Sequence, residues 1–391
     1  MTSKLEELIA ELCPNGVEYK ALSEVSDMKR GTTVTKKSVN PGDIPVISGG
    51  REPAYYCDIS NRNGETITVA GSGAGAGFVQ YWDKPIFVCD AFSVKGVDDL
   101  TSTKFLYYVL LSKQEAIYAT KKGGGVPHVH ISSIKDFEIP VPPLEVQSEI
   151  VRILDTFTEL TAELTAELTA ELTARKKQYE YYRDTLLTFD DNNPLHSLIS
   201  HYCPNGVEYK KIKNVYLRIK GTPITASKMK EIASEDGEVR IFAGGKTVIN
   251  AHESDIPKAN ITRVPAVLVQ SRGVIDAVYY DKPFTFKNEM WAYASDSQIS
   301  VKFLYYSLKN NIQYFRDAAS GMGSLPQISL HVTEDFEIPV PPLEVQHQIV
   351  QILDRFDALC NDLTQGLPAE IEARRKQYEY YRDQLLTFKR A

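Results

Sequence analysis

The glycine-rich segment GSGAGAG at 71–77 is the first stretch whose composition could do chemistry, because similar runs hold the phosphates of bound nucleotides. It departs from the dinucleotide fingerprint: Ala76 stands where the third glycine belongs, and a strand-like FVQYW follows in place of a helix. The P-loop triplet Gly245-Lys246-Thr247 occurs elsewhere, but Arg240 occupies the position that requires its first glycine. We therefore predict a tight turn or mobile loop at 71–77, and no cofactor bound by this chain.

Two histidines in PHVH, His128 and His130, alternate along an extended segment, and such an HxH pair can bind a metal ion. No third ligand stands nearby, and a related segment at 326–329 reads PQIS. We predict polar surface contacts and no metal.

The sequence lacks three common catalytic motifs: GxSxG, HExxH and the Asn/Asp-Pro-Pro-aromatic motif of amino-methyltransferases. We therefore expect no catalytic residues.

Basic side chains in glycine-containing loops suit nucleic acid, since lysines bind phosphates and arginines bind the edge of guanine. Arg51, Lys246 and Arg272 lie beside glycines that let a backbone approach closely. The candidates for DNA contact are Lys29, Arg30, Lys36, Arg51, Ser72, His128, His130, Lys220, Lys228, Lys230, Lys246 and Arg272. The alternative is a solvated lysine-rich face. The formal net charge of −7 is unusual for a protein that binds DNA by itself.

Three blocks that occur twice reveal the elements that position these residues. They are CPNGVEYK at 13–20 and 203–210, FEIPVPPLEVQ at 137–147 and 336–346, and KQYEYYRD at 177–184 and 376–383. The chain is therefore one unit written twice. Each copy contains a divergent body (21–136 and 211–335) with β-prone runs at 65–70, 85–89, 266–270 and 283–286. Because KFLYY is retained at 104–108 and 302–306, we expect one fold with two different surfaces.

Each body is followed by a predicted long helix, at 143–189 and from 342 to about 388. Three TAEL repeats at 161–172 make the first helix a spacer, in which each repeat adds about 6 Å and about 40° of rotation. Its leucines are Leu160, Leu164, Leu168 and Leu172. Gly366 and Pro368 interrupt the second helix. Neither helix is stable alone, so we predict that the two pair with each other.

The expected architecture is an α+β fold with two similar, β-rich bodies separated by two long antiparallel helices, related by a pseudo-two-fold internal repeat. The predicted boundaries are 1–142 for the first body, 143–189 for the first helix, 190–341 for the second body and 342–391 for the second helix.

The identical KQYEYYRD blocks indicate two equivalent docking sites for two copies of one partner. The candidates are Gln178, Tyr179, Tyr182, Arg183, Gln377, Tyr378, Tyr381 and Arg382. The alternative is ordinary packing between helices.

Cysteine usage and hydropathy suggest where the chain works. The five cysteines are scattered and form no CxxC, which favours reduced thiols over disulfides or zinc. No apolar run is long enough to cross a bilayer, and the N-terminal segment MTSKLEELIAEL is too acidic for a signal peptide. We therefore expect a cytoplasmic protein.

Two divergent bodies, the FEIPVPPLEVQ and KQYEYYRD blocks and the TAEL array together resemble the specificity subunit of type I restriction–modification enzymes, in particular the subgroup with TAEL repeats. The resemblance covers essentially the whole chain. It implies that each body is a target recognition domain for one half of a bipartite double-stranded DNA site, and that the helices set the gap.

The same resemblance implies that two methyltransferase subunits dock on the helices, bind S-adenosylmethionine and methylate adenine. Restriction subunits, with ATP and Mg²⁺, would complete the complex. Two other hypotheses remain open from the residues alone: a scaffold whose bodies bind proteins, and a hydrolase or transferase site around 71–77.

Overall fold

The computed structural model describes residues 2–123, 125–245, 247–257, 259–320, 325–362 and 365–391. The chain divides into two compact units, one formed by Met1–Leu168 with Glu370–Ala391 and the other by Thr169–Ala369. Within the described ranges, no helix combines the length and apolar content that a membrane crossing requires.

Among its described residues, the first unit contains a body with nine strands and the long helix that follows it. Its elements are α1 (Thr2–Leu12), β1 (Tyr19–Ala21), α2 (Leu22–Val25), β2 (Ser26–Arg30), β3 (Ile44–Ile47), β4 (Tyr55–Cys57), β5 (Thr66–Ala70), β6 (Val79–Trp82), β7 (Phe87–Val88), β8 (Ala91–Gly96), α3 (Thr103–Ser112), α4 (Gln114–Ala119), α5 (Ile131–Ile134), β9 (Glu138–Pro140) and α6 (Leu144–Leu186). The helix α6 continues into the second unit.

The second body repeats this order of strands. Its elements are α7 (His196–Tyr202), β10 (Tyr209–Lys211), β11 (Leu217–Lys220), α8 (Ala226–Ile232), β12 (Val239–Phe242), β13 (Val248–Ala251), β14 (Ala266–Gln270), β15 (Asp276–Tyr280), β16 (Phe284–Phe286), β17 (Trp291–Ala294), α9 (Gln298–Asn310), α10 (Ile312–Asp317), α11 (Leu330–Glu334) and β18 (Glu337–Pro339). The helices α12 (Leu343–Asn361) and α13 (Leu367–Leu385) follow, with most of α13 in the first unit.

The sheets confirm that the two bodies share one fold. Each has a four-stranded antiparallel sheet, in the order β2-β8-β5-β6 or β11-β17-β14-β15. Each also has a three-stranded sheet, β4-β3-β7 or β13-β12-β16, and a two-stranded pair, β1-β9 or β10-β18. In β5 and β14 all five residues are buried, and both strands lie in the interior of their sheets.

The long helix follows its sequence closely. It starts one residue after Pro143 and ends at Leu186, where Asn193 closes it. The Asn193 side-chain amide donates to the carbonyl oxygens of Thr185 (3.0 Å) and Leu186 (3.2 Å), the last two residues of the helix, and to that of Thr188 (2.7 Å) just beyond it. The predicted interruption of the second helix is also present, between Asn361 and Leu367.

Each unit pairs its own long helical segments, as the predicted need for a partner requires. In the first unit, the Phe157 ring lies 6.2 Å from that of Tyr381, and Thr158 Oγ1 lies 3.0 Å from Tyr378 Oη. In the second unit, the rings of Tyr182 on α6 and Phe356 on α12 stack at 5.2 Å.

Replacing Asn193 by alanine should lower the free energy of unfolding by about 1–3 kcal/mol, because buried carbonyl groups at the end of α6 lose their donor. Urea unfolding of the full chain measures this. Asn192→Ala, at an exposed neighbour, should change the free energy by no more than about 0.5 kcal/mol. Equal losses in the two variants would contradict the capping role.

Candidate nucleic-acid interface

In the first unit, loops from separate strands meet around the glycine-rich segment. The Gly71 N–H donates to the carbonyl oxygen of Asp90 (3.0 Å), and the Gly73 N–H donates to that of Pro127 (3.0 Å). The segment is a turn, as predicted, and β6 follows it. These contacts bring together candidate residues that are distant in sequence. Three of the candidates, Arg30, His128 and His130, line a cleft of about 320 Å³ together with Asp90.

Several glycines of these loops are required by the loops themselves. A Cβ atom added at Gly49 would lie 2.1 Å from the carbonyl oxygen of Ser72. A Cβ at Gly31 would lie 2.2 Å from the carbonyl oxygen of Cys89. In the second unit, a Cβ at Gly221 would lie 2.2 Å from the carbonyl oxygen of Phe286. The close approach expected of Gly49 is therefore to a neighbouring loop of the same body.

The polar candidates of the first unit differ in how far they are engaged within the protein. Lys29 pairs with the Asp27 carboxylate, and the Ser72 hydroxyl donates to the Asp90 carboxylate. Arg30 and Lys36 are exposed. The Arg51 guanidinium lies 5.1 Å from the centre of the Phe78 ring and is also exposed, so a cation–π contact positions it while its donors stay accessible.

The two histidines lie side by side, with ring centres 5.9 Å apart and planes within 6° of parallel. His128 exchanges backbone hydrogen bonds with Lys122 (2.8 and 3.0 Å) and forms a backbone β-bridge with Ser72, so its backbone lies next to the glycine-rich turn. His130 precedes α5. Among the described residues, no three His, Cys, Asp or Glu side chains form a group that could hold a metal ion.

The backbone hydrogen bonds between residues 71–73 and 127–129 form a loop frame, and the second unit builds the same frame between residues 271–273 and 326–328 with other side chains. The Gly273 N–H donates to the carbonyl oxygen of Pro326 (2.9 Å), as Gly73 does to Pro127. The backbones of Arg272 and Gln327 form an isolated antiparallel β-bridge, and those of Ser72 and His128 form the same bridge in the first unit. The serine and histidine of one unit therefore correspond to the arginine and glutamine of the other.

The remaining candidates of the second unit are spread over two surfaces. Lys220 ends β11 and is exposed, in the position that Arg30 occupies at the end of β2. Lys228 pairs with Glu231 within α8 (2.7 Å). Lys230 and Arg272 line one cleft of about 560 Å³. Lys246 lies outside the described residues.

Sequence reasoning missed the residues that hold these strand ends in place. The Arg62 guanidinium donates to the carbonyl oxygen of Arg30 (3.0 Å) and to the Ser93 hydroxyl (2.7 Å). In the second unit, the Asn260 amide donates to the carbonyl oxygen of Lys220 (2.6 Å). No local motif marks either residue, because each acts on a strand distant in sequence.

At one shared position of the KQYEYYRD blocks a tyrosine faces outward in both copies, and in the second copy Tyr381 is exposed as well. Tyr181 is 62% exposed and Tyr380 is 61% exposed. The rings of neighbouring tyrosines meet edge to face in both copies, at 5.6 Å for Tyr181–Tyr182 and 5.5 Å for Tyr380–Tyr381. This side chain was absent from the docking candidates.

The predicted docking residues make contacts within their own units. Tyr179 and Tyr182 lie against Phe356, and the Arg183 Nε donates to Asn310 Oδ1 (3.0 Å). Gln178 accepts from Arg175 (2.9 Å). In the other copy, Gln377 accepts from Arg374 (3.1 Å), Arg382 donates to Asp383 (2.8 Å), and Tyr378 and Tyr381 pack on α6 as described above. A docking role for these eight residues stays a prediction.

The spacer leucines follow the rotation of their repeat. Residues four apart advance about 40° around a helix, so one partner helix cannot cover them all. Leu160 is 56% exposed, while Leu164, Leu168 and Leu172 are half-buried. In the first unit, Leu160 and Leu164 line an apolar groove of about 200 Å³ together with Phe157, Tyr378 and Tyr381.

Comparison with known families matches this duplicated architecture. The family model described as the type I restriction modification DNA specificity domain matches residues 14–174 and again 204–373, once in each copy. The chain is 30% identical to the type I restriction enzyme EcoR124I/EcoR124II specificity subunit of Escherichia coli, over 95% of this chain and 94% of that protein. It is 29% identical to the type I restriction enzyme MpnII specificity subunit of Mycoplasma pneumoniae, over 67% of this chain and 92% of that protein.

Two solved structures share the fold. The type I restriction–modification system S subunit from M. genitalium superposes with a TM-score of 0.56 at 21% identity, covering 95% of this chain and 97% of that one. A chain from a study of assembly and conformational transition of the type I system gives a TM-score of 0.61 at 16% identity, covering 95% and 98%.

Two matches to a DNA specificity domain define this chain as a DNA-recognition protein, which is a non-catalytic role. The chain belongs to the DNA specificity subunits of type I restriction–modification systems. This membership favours DNA recognition over the scaffold and the enzyme hypotheses. Assignment to the TAEL subgroup stays a prediction.

Proposed function

We propose that each unit reads one half of a bipartite DNA site through its loop cluster, and that α6 sets the gap between the halves. The observation that carries the proposal is the repeated frame, in which equivalent backbone positions hold Ser72 and His128 in one unit but Arg272 and Gln327 in the other. A conserved frame with changed polar side chains suits two readers of different base sequences.

The side chains of each cluster suit different parts of the DNA. Arg51 and Arg272 can each donate two hydrogen bonds to the O6 and N7 atoms of guanine. Gln327 matches the N6 and N7 atoms of adenine. Arg30 and Lys220, exposed at equivalent strand ends, suit phosphate contacts that orient the unit on the duplex.

The spacer role rests on the continuity of α6 from Leu144 to Leu186. One TAEL repeat adds about 6 Å of rise and about 40° of rotation, compared with about 3.4 Å and roughly 35° for a base pair of B-DNA. The rotations agree closely. The rise does not, so a change of about one base pair per repeat requires tilt of a body or bending of the DNA.

Two methyltransferase subunits dock, in this proposal, at Tyr181 and Tyr380. Exposed tyrosines are enriched where protein interfaces form, and these two have nearly equal exposure and the same geometry toward their neighbours. Equivalent sites suit two copies of one partner.

S-adenosylmethionine would then be bound by the methyltransferase subunits, and ATP and Mg²⁺ by restriction subunits where these are present. The partners would also supply the positive charge that this chain, at −7, lacks.

Replacing Arg51 or Arg272 by alanine should relax the methylated motif at a single position, in a different half-site for each variant. Loss of a bidentate base contact removes roughly 1–3 kcal/mol of discrimination, so the ratio of the methylation rates on the right and the wrong base should fall by roughly 5-fold to 150-fold. Sequencing of DNA methylated in cells by the variant and its methyltransferase subunit measures this. Lys84→Ala and Lys282→Ala, at the opposite ends of β6 and β15 from the glycine-containing turns, are the matched controls. Unchanged motifs in both arginine variants would refute the assignment.

Chains with two, three and four TAEL repeats should methylate sites that share both halves but differ in the gap by about one base pair per repeat, because helix length is the quantity changed. Glu163→Gln alters an exposed repeat position without altering length and should keep the original gap. A gap that is the same for all three lengths would exclude the spacer role.

Tyr181→Ser and Tyr380→Ser should each weaken the binding of one methyltransferase subunit by roughly tenfold or more, since aromatic anchors dominate interfaces. The double variant should lose both copies, which mass photometry of the mixture would count. Tyr56→Ser changes a tyrosine of similar exposure in the first body and should leave the stoichiometry intact. Unaltered binding of two subunits by the double variant would contradict this docking surface.

A further inference from the structure

In the first unit, one carboxylate on the long helix α6 contacts two polar side chains of the body, beside the apolar core that the helix and the body share. Tyr108 on α3 donates its hydroxyl to Asp155 Oδ1 on α6 (2.5 Å), and Lys104 Nζ lies 3.3 Å from the same oxygen. Tyr108 is 2% exposed, so its hydroxyl needs this partner inside the protein. The Lys104 ammonium is held from the other side by the Tyr81 ring, at 4.2 Å.

The second unit repeats the arrangement. Tyr306 on α9 donates to Asp354 Oδ1 on α12 (2.6 Å), and Lys302 Nζ donates to Asp354 Oδ2 (2.5 Å). Lys302 lies 5.4 Å from the centre of the Tyr279 ring, which stands in the place of Tyr81. These contacts account for the KFLYY sequence that both divergent bodies keep. Its lysine and last tyrosine, four residues apart, share one helix face and meet one carboxylate.

The chemistry of this joint makes it directional. Apolar packing between helices tolerates small rotations and shifts, whereas a charge-assisted hydrogen bond holds its atoms within a narrow range of distance and angle. Burial and the neighbouring aspartate raise the pKa of both Tyr108 and Tyr306 far above the ordinary value, so each hydroxyl remains a donor. In the first unit the hydroxyl network also reaches α13, through Thr158 and Tyr378.

We propose that Asp155 and Asp354 are positioning residues: each fixes the orientation of its recognition body on the helix that follows that body, α6 for the first and α12 for the second, and thereby the register between the two half-sites. This inference rests on the proposed bipartite reading with a helix-set gap. The bodies read bases with their loops, while these carboxylates determine where the loops stand relative to the spacer.

The test uses the full chain in complex with its methyltransferase subunit. Methylation rates are measured on duplexes that carry both half-sites with gaps from two base pairs shorter to two longer than the natural one. For Tyr108→Phe, Asp155→Asn and Tyr306→Phe, the preference for the natural gap over gaps one base pair different should fall roughly tenfold, the worth of one charge-assisted hydrogen bond. Tyr107→Phe and Tyr305→Phe, at neighbouring tyrosines on the same helices, should keep the preference of the unaltered chain.

Two further readouts separate positioning from plain stability. Discrimination against single base changes within each half-site should stay the same in every variant. Combining Tyr108→Phe with Asp155→Asn should reduce the gap preference by less than the product of the two single effects, because both changes act on the same bond between Tyr108 and Asp155. If Asp155→Asn does not fold, Lys104→Met, which keeps the tyrosine bond, should still lower the gap preference.

A folded variant complex with an unchanged gap preference would overturn the inference, as would an equal loss of base discrimination. If the unaltered complex itself shows no preferred gap, the result refutes the proposed bipartite reading with a helix-set gap, and the positioning role of the two aspartates falls with it.

Discussion

The structure depends on the regular geometry of one helix. In α6, each residue adds a fixed rise and rotation, and a continuous ladder of backbone hydrogen bonds transmits both from Leu144 to Leu186. The helix carries Asp155, which contacts the first body, and Arg183, which contacts the second through Asn310. The TAEL array lies between these two positions. A change in the length of the array therefore changes the number of helical residues between Asp155 and Arg183 without changing the sequence around either residue.

In the proposed function, recognition and positioning belong to different parts of each unit. The loop frame is held by backbone hydrogen bonds and by glycines packed against neighbouring carbonyl groups, so its geometry does not depend on the exposed side chains. Serine and histidine in one unit are replaced by arginine and glutamine in the other without loss of the bridge between them. The joint to the long helix, in contrast, keeps the same lysine, tyrosine and aspartate in both units. Base preference can thus diverge while the placement of the body stays the same.

The duplicated blocks made most of the fold predictable. β14 matches the predicted run at 266–270, and α6 ends three residues before the predicted limit because Asn193 caps it there.

The orientation of the tyrosines was not predictable. Tyr179, Tyr181 and Tyr182 lie within one turn, and only the position of Phe356 determines that Tyr181 faces outward. Arg62 was missed for a similar reason, since its role depends on the strand end at Arg30, which is far away in sequence. Periodicity predicts elements, but contacts between distant segments decide which side chains remain available.

The central claim is that each body reads its own half-site independently of the other. The most direct test replaces residues 21–136 by a second copy of 211–335 within the full chain, so that the flanking blocks are unchanged, and sequences the DNA that this chimera methylates together with its methyltransferase subunit. The account predicts a bipartite motif in which both halves carry the base sequence formerly read by the second body. A motif that keeps the original first half-site would contradict it, because the bases read would then not be set by the body that was exchanged.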